Sequence, residues 1–194
     1  MKNLIKLKGI VETVPTLSHK INEIEFYTFD LKVEDGKKTF ILPVIDRNYL
    51  TNNQYKQGDF ISIDGEIRTR DIKDEEDKKH LIVNVYAQKI DLIENIDEKV
   101  FLNKVNLSGN ICNKRLRETK NGNTTCNSKL SVTRINGKRS DYIPLILWNN
   151  LAKEFDTFEI GTEKSVTGKL QSREYIKGDI SHTIIEVNVI KINS

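Results

Sequence analysis

Little in this chain points to catalysis, export or a membrane. Only two cysteines, Cys112 and Cys126, occur among 194 residues, too few for a disulfide scaffold or a thiolate metal site, and they are expected to be small strand residues in a reducing compartment. The three histidines, His19, His80 and His182, stand far apart without ligand spacing, so no metal centre is expected. No apolar run approaches the ~18 residues a membrane-crossing helix needs, and the opening MKNLIKLKGIVETV lacks a long apolar stretch and a small-residue cleavage site. A cytoplasmic protein without membrane contact is expected. Phosphate loops, nucleophile elbows and paired carboxylate motifs are missing, so neither enzymatic activity nor a cofactor is expected. Proline is confined to Pro15, Pro43 and Pro144, and tryptophan to Trp148.

What the chain does have is alternation, and it has it twice. From Asp141 to Trp148, Ile143, Leu145 and Leu147 share one parity while Tyr142, Pro144, Ile146 and Trp148 share the other, which on a pleated strand means opposite faces. The segment LPVIDRNYL, residues 42 to 50, is echoed by IPLILWNNL, residues 143 to 151, so that Pro43 matches Pro144. Gly9 likewise matches Gly109, Asp35-Gly36 matches Asn136-Gly137, Gly58 matches Gly161, Gly65 matches Gly168, and Arg70 matches Arg173. The chain is a diverged tandem repeat, and two domains are expected, 1–97 and 98–194. Their charges differ. Residues 1–97 carry 15 basic and 18 acidic side chains, residues 98–194 carry 16 and 10, so a polyanion should prefer the second repeat.

Each repeat reads as five strands with a short helix between the third and fourth. In the second these are 105–111, 128–133, 142–148, a helix over 149–158, then 166–175 and 183–192. That order is the plan of the OB-fold, a five-stranded Greek-key barrel, and the fold class expected is all-β with two OB-folds in tandem. Glycine in each first and fourth strand suits a small barrel that bends sharply. Proline in each third strand should mark an edge or a bulge, because it cannot donate to a ladder.

The second repeat resembles the bacterial single-stranded-DNA-binding protein family, including its primosomal replication protein N relatives. The resemblance is carried by Asn103-Lys104-Val105, Leu107, Gly109-Asn110-Ile111, Asn121-Gly122, Leu147, Leu151-Ala152 and the run Val166 to Arg173 with Tyr175 after it. It implies base-stacking aromatics at Tyr142, Trp148 and Tyr175, and phosphate-facing cations at Lys104, Arg117 and Arg173. It also implies a homodimer, because the family presents four OB-folds and this chain supplies two. Ile143, Glu174 and Asn150 depart from the family pattern, and the family's acidic, Phe-ended tail is not expected to serve this protein. Replication or primosome proteins are therefore expected to dock, if they do, by some other surface.

Binding single strands without reading their sequence needs ring faces for bases and cations for phosphates. Parity places Tyr142 and Trp148 on one outward face, and the fourth strand, read as its neighbour, turns out Thr167, Lys169, Gln171, Arg173 and Tyr175. Lys138 and Arg139 beside the hairpin, with Arg115, Arg117 and Lys120, add charge. Trp148 is open to a second reading as a core residue, and Tyr142 as an interface residue. The expected function is single-stranded DNA binding in replication, repair or recombination. An assembly adaptor built on the same barrels, or an RNA or oligosaccharide binder, stays open. The first repeat is expected to bind more weakly: Trp148, Tyr142 and Tyr175 align with Arg47, Ile41 and Ile72, and Thr167 and Lys169 with Asp64 and Glu66. The alternative is that Phe26, Tyr27, Phe29 and Phe40 rebuild a platform elsewhere on that repeat.

Overall fold

The computed structural model describes residues 2–52, 55–73, 77, 79–135, 137–177 and 180–193, with the side chains of all of these except 52, 175–177 and 180–182. The first repeat runs β1 (Asn3–Val11), β2 (Thr16–Ile21), β3 (Ile24–Asp35), β4 (Lys38–Asp46), α1 (Tyr49–Asn52), β5 (Phe60–Lys73) and β6 (Lys79–Leu92). The second runs β7 (Leu102–Glu118), β8 (Thr124–Thr133), β9 (Ser140–Trp148), α2 (Asn149–Thr157), β10 (Glu163–Lys177) and β11 (Ile180–Asn193). In the second repeat the ladders close in the order β7, β8, β9, β11, β10 and back to β7, with β9 and β11 parallel and the other pairs antiparallel. The first repeat closes the same way through β1, β3, β4, β6 and β5. Both repeats are OB-fold barrels, as the strand order implied.

One element departs from the expected five strands. β2 continues the path of β1 along β3 after a break at residues 12–15. Pro15 lies in that break and has no N–H to give a ladder, while the Thr13 hydroxyl takes the Asp30 N–H at 2.8 Å. In the second repeat, with no proline there, β7 runs unbroken for 17 residues. Pro43 and Pro144 behave as expected of strand prolines. Each pairs on one side only, and parallel pairing on the other side begins at the next residue, Val44 or Leu145.

The glycines of the first and fourth strands stand where backbone crosses backbone. A Cβ on Gly109 would lie 2.4 Å from the Ser131 carbonyl oxygen, and one on Gly168 2.4 Å from that of Asn188. Around them the inward residues Ile143, Leu145, Leu147, Leu130, Val166 and Leu170 are essentially inaccessible. Burial of such side chains, worth about 1.5–3 kcal/mol each, is what fixes the parity of every strand.

The repeats are joined as an isologous pair within one chain. β1 and β7 pair antiparallel about Ile5 and Val105, so that Asn3 faces Leu107 and Leu7 faces Asn103. The Asn3 amide bridges both backbone groups of Ile67, and the Asn103 amide does the same for Leu170. The two strand edges at the junction thus satisfy each other. Beyond the ladder, the Tyr142 N–H donates to Thr69 Oγ1 at 2.9 Å and the Ile41 N–H to Ser172 Oγ at 3.1 Å, equivalent contacts made in opposite directions.

Candidate nucleic-acid interface

The outward face of β7, β8 and β9 follows from parity. β8 buries Cys126, Ser128, Leu130 and Val132, which leaves Thr125, Asn127, Lys129 and Ser131 on the other side. The ladders set Trp148 beside Thr125 and Arg117, Ile146 beside Asn127 and Arg115, and Pro144 beside Lys129 and Asn113. A shift of register at Cys112 lets Asn113, Arg115 and Arg117 take the outward parity. Among the described residues this three-stranded face carries three cations, Arg115, Arg117 and Lys129, and no carboxylate.

The rings lie at its two ends. Trp148 is 41% exposed and Tyr142 49%, about 20 Å apart along the strand at ~3.3 Å per residue. Trp148 is no core residue. Leaving so much indole in water forgoes roughly 2 kcal/mol of burial. Its position is fixed from below. α2 starts at the next residue, packs Ala152 and Phe155 into the barrel, and has its C-terminal carbonyls on Asp156 and Phe158 held by the Lys114 ammonium.

The other sequence-derived positions divide among three places. Arg117 belongs to the face just described. Lys138 and Arg139 are exposed at the β8–β9 hairpin, where the Gly137 N–H donates to Arg134 and the Arg134 N–H to Arg139; Asn136 lies outside the described residues. Lys104 is elsewhere: it stands opposite Lys6 in the β1–β7 ladder, on the sheet that joins the repeats. The fourth strand is not the neighbour of the third. β11 lies between β9 and β10, because a Greek-key closure puts the last strand there. The outward residues of β10 accordingly form a separate set, and Thr167, Lys169, Gln171 and Arg173 are all engaged, Thr167 with the Asn106 amide oxygen. Lys169 donates to both oxygens of Asp35 in the first repeat at 2.7 Å, and Arg173 to Glu186 at 2.8 Å. Glu186 is 3% exposed and also takes the Gln171 amide. The Tyr175 backbone pairs with His182, and its side chain lies outside the described residues.

Lys129 and Asn127 on this face were missed from sequence. The signal was available, since they alternate with four small or apolar residues of β8. Asp141 was missed as well. It is fully buried at the repeat junction, accepts Arg134 at 2.7 and 2.9 Å, the Thr69 N–H at 2.8 Å and Arg68 at 3.3 Å, and holds the Arg134 guanidinium still more firmly protonated. Burial pushes the thiols of Cys112 and Cys126 up, so neither offers a thiolate at neutral pH. Among the described residues no group of His, Cys, Asp and Glu could hold a metal, and no helix is long and apolar enough to cross a membrane.

Residues 102–193 match the single-strand binding protein family. Among solved structures, the wild-type single-stranded DNA binding protein from Thermus aquaticus matches with a TM-score of 0.80 at 20% identity, over 99% of this chain and 92% of that one. A deletion mutant of the same protein matches with the same score and identity, over 93% of its chain. The N-terminal domain of PriB from Thermoanaerobacter tencongensis matches with a TM-score of 0.41 at 25% identity, over 48% of this chain and 98% of that one. No curated protein matches the sequence. The Thermus likeness extends over nearly the whole chain as a likeness of fold, and the match to the single-strand binding protein family is confined to the second repeat, residues 102–193.

Proposed function

We propose that the chain binds single-stranded DNA without enzymatic activity, in the cytoplasm, in replication, repair or recombination. The observation that carries this reading is the β7–β8–β9 face: Trp148 and Tyr142 exposed at its ends, Arg115, Arg117 and Lys129 between them, and no carboxylate among its described residues. Such a face suits a strand of any sequence, since every base has a ring to stack and every phosphate a charge to meet. Arg117, Lys129, Lys138 and Arg139 take the phosphates in this reading. Lys104, Lys169 and Arg173 contribute less, Lys104 because it lies on the junction sheet and the others because they are already paired. A homodimer belongs to the proposal, two such chains giving four barrels; a monomer in sedimentation at micromolar protein would reject that part.

The test is a titration of the full chain with a labelled oligo-dT of about 35 nucleotides at several salt concentrations, with Trp148 emission followed in parallel. Binding is expected to quench Trp148. The affinity is expected to fall with a log–log salt slope near −3, from four phosphate contacts at ~0.7 each. Saturation without quenching removes Trp148 from the site, and a flat salt response favours a protein-binding adaptor.

A further inference from the structure

The first repeat has lost the rings of the third strand, and Ile41 and Arg47 stand exposed where Tyr142 and Trp148 stand in the second. Three of the four aromatics that could replace them do not. Phe29 and Phe40 are core, and Tyr27 packs on Tyr49 with ring centroids 4.7 Å apart. Phe26 differs. It points outward on β3 at the rung that carries Thr125 in the second repeat, and is covered there by two further rings. The His19 imidazole on β2 lies flat on it, centroids 4.6 Å apart and planes within 2°, and Tyr86 on β6 leans against it at 6.0 Å. His19 and Tyr86 are half-buried while Phe26 is 6% exposed, so Phe26 is the floor and the other two are the accessible rings.

Cations accompany the rings. Arg68, 5.8 Å from the centre of the Tyr86 ring, is held by Glu66 and Asp141, whereas Arg47 directly follows β4, two residues past the Ile45–Tyr86 pairing and near enough for its charge to act on Tyr86. The carboxylate that seemed to forbid phosphate here is neutralised. Glu66, opposite Tyr86, is 6% exposed and bonded to both Arg68 and Gln88. Asp64 lies elsewhere, paired with Lys6 on the junction sheet.

Resting on the function proposed above, we infer that the first repeat carries a second single-strand-binding face. In it the rings have moved from the third strand to its flanks, His19 and Tyr86 taking bases, and a cation, Arg47, holds the Trp148 position. The exchange keeps what binding requires, ring faces beside positive charge, while replacing both rings of the third strand; Pro43 and Ile45 between them match Pro144 and Ile146. The sequence expectation of a weakly binding first repeat then fails.

The experiment compares the full chain with His19→Ala/Tyr86→Ala, His19→Phe/Tyr86→Phe, Arg47→Glu and Trp148→Ala on oligo-dT of about 35 nucleotides, by anisotropy and by ultraviolet cross-linking with peptide mapping. The alanine pair is expected to bind about tenfold more weakly and to lose cross-links from the peptides around His19 and Tyr86. The phenylalanine pair keeps the rings and should retain near-normal affinity. Arg47→Glu alters no packed side chain and should weaken binding severalfold with a salt slope lower by about 1. Wild-type binding that is sensitive to Trp148→Ala but unchanged in the alanine pair and in Arg47→Glu overturns this inference alone; no binding by the wild type overturns the function it rests on.

Discussion

Trp148 and Asp141 sit seven residues apart on one strand and illustrate opposite uses of a costly residue. The indole keeps 41% of its surface in water, so Trp148→Ala is expected to cost less stability than truncating a core aromatic, under about 3 kcal/mol, while lowering oligo-dT affinity by ~1–3 kcal/mol. Parallel urea melts and titrations check both halves of that statement. Asp141 is the reverse. Its buried carboxylate is compensated by Arg134, Arg68 and the Thr69 N–H, and Asp141→Ala would leave two guanidinium groups short of their partner. A loss of about 3–5 kcal/mol in urea unfolding is expected. Asp30 offers a pH-dependent counterpart. Burial, with Glu12 nearby, raises its carboxyl above the usual value, so its ionised form is the one the fold disfavours. The penalty is absent at low pH and grows as pH rises through the ordinary carboxylate range. Asp30→Asn should therefore stabilise the protein by several tenths of a kcal/mol at pH 7, and the gain should vanish in melts near pH 3.

At the scale of elements, the first strand of each repeat was legible and its surroundings were not. Gly9 and Gly109 signalled a bend, and in the fold each meets a carbonyl oxygen of the adjacent strand, Lys32 or Ser131. Gly109→Ala forces backbone against backbone, and a drop of roughly 2–4 kcal/mol in unfolding free energy is expected, larger than for Gly122→Ala in the β7–β8 turn, where a Cβ meets nothing within 4 Å. The bond from Lys169 on β10 to Asp35 at the β3–β4 hairpin could not be anticipated from either strand. It joins residues 134 apart in sequence. The same holds for the position of β10: strand parity was correct, but its neighbour was misassigned, because the closure order of a barrel is not written in the alternation of any one strand.

For the whole molecule, the decisive fact is that one chain contains the symmetric pairing that two separate barrels would have to find by collision. The β1–β7 ladder and the buried Asp141, which takes the Thr69 N–H and Arg68 of the first repeat, join the halves. A fragment of residues 98–194 expressed alone would expose the β7 edge and the apolar residues beside it. It is expected to be less stable than the full chain or to self-associate through β7, as sedimentation of the fragment can show.

The sequence by itself determined the repeat, the all-β class, the barrel plan and the parity of each strand, since all of these follow from which side chains must leave water along a local period. It also determined that Trp148 and Tyr142 share a face. Which cations share that face was decided only by tertiary structure: Arg117 and Lys129 do, Lys104 joins the opposite repeat, and Lys169 and Arg173 are held by Asp35 and Glu186. Burial is a property of one residue and its neighbours in the chain, and it leaves a periodic trace. Charge pairing joins residues that only the closure of the barrels and the docking of the repeats bring within reach, and it leaves none.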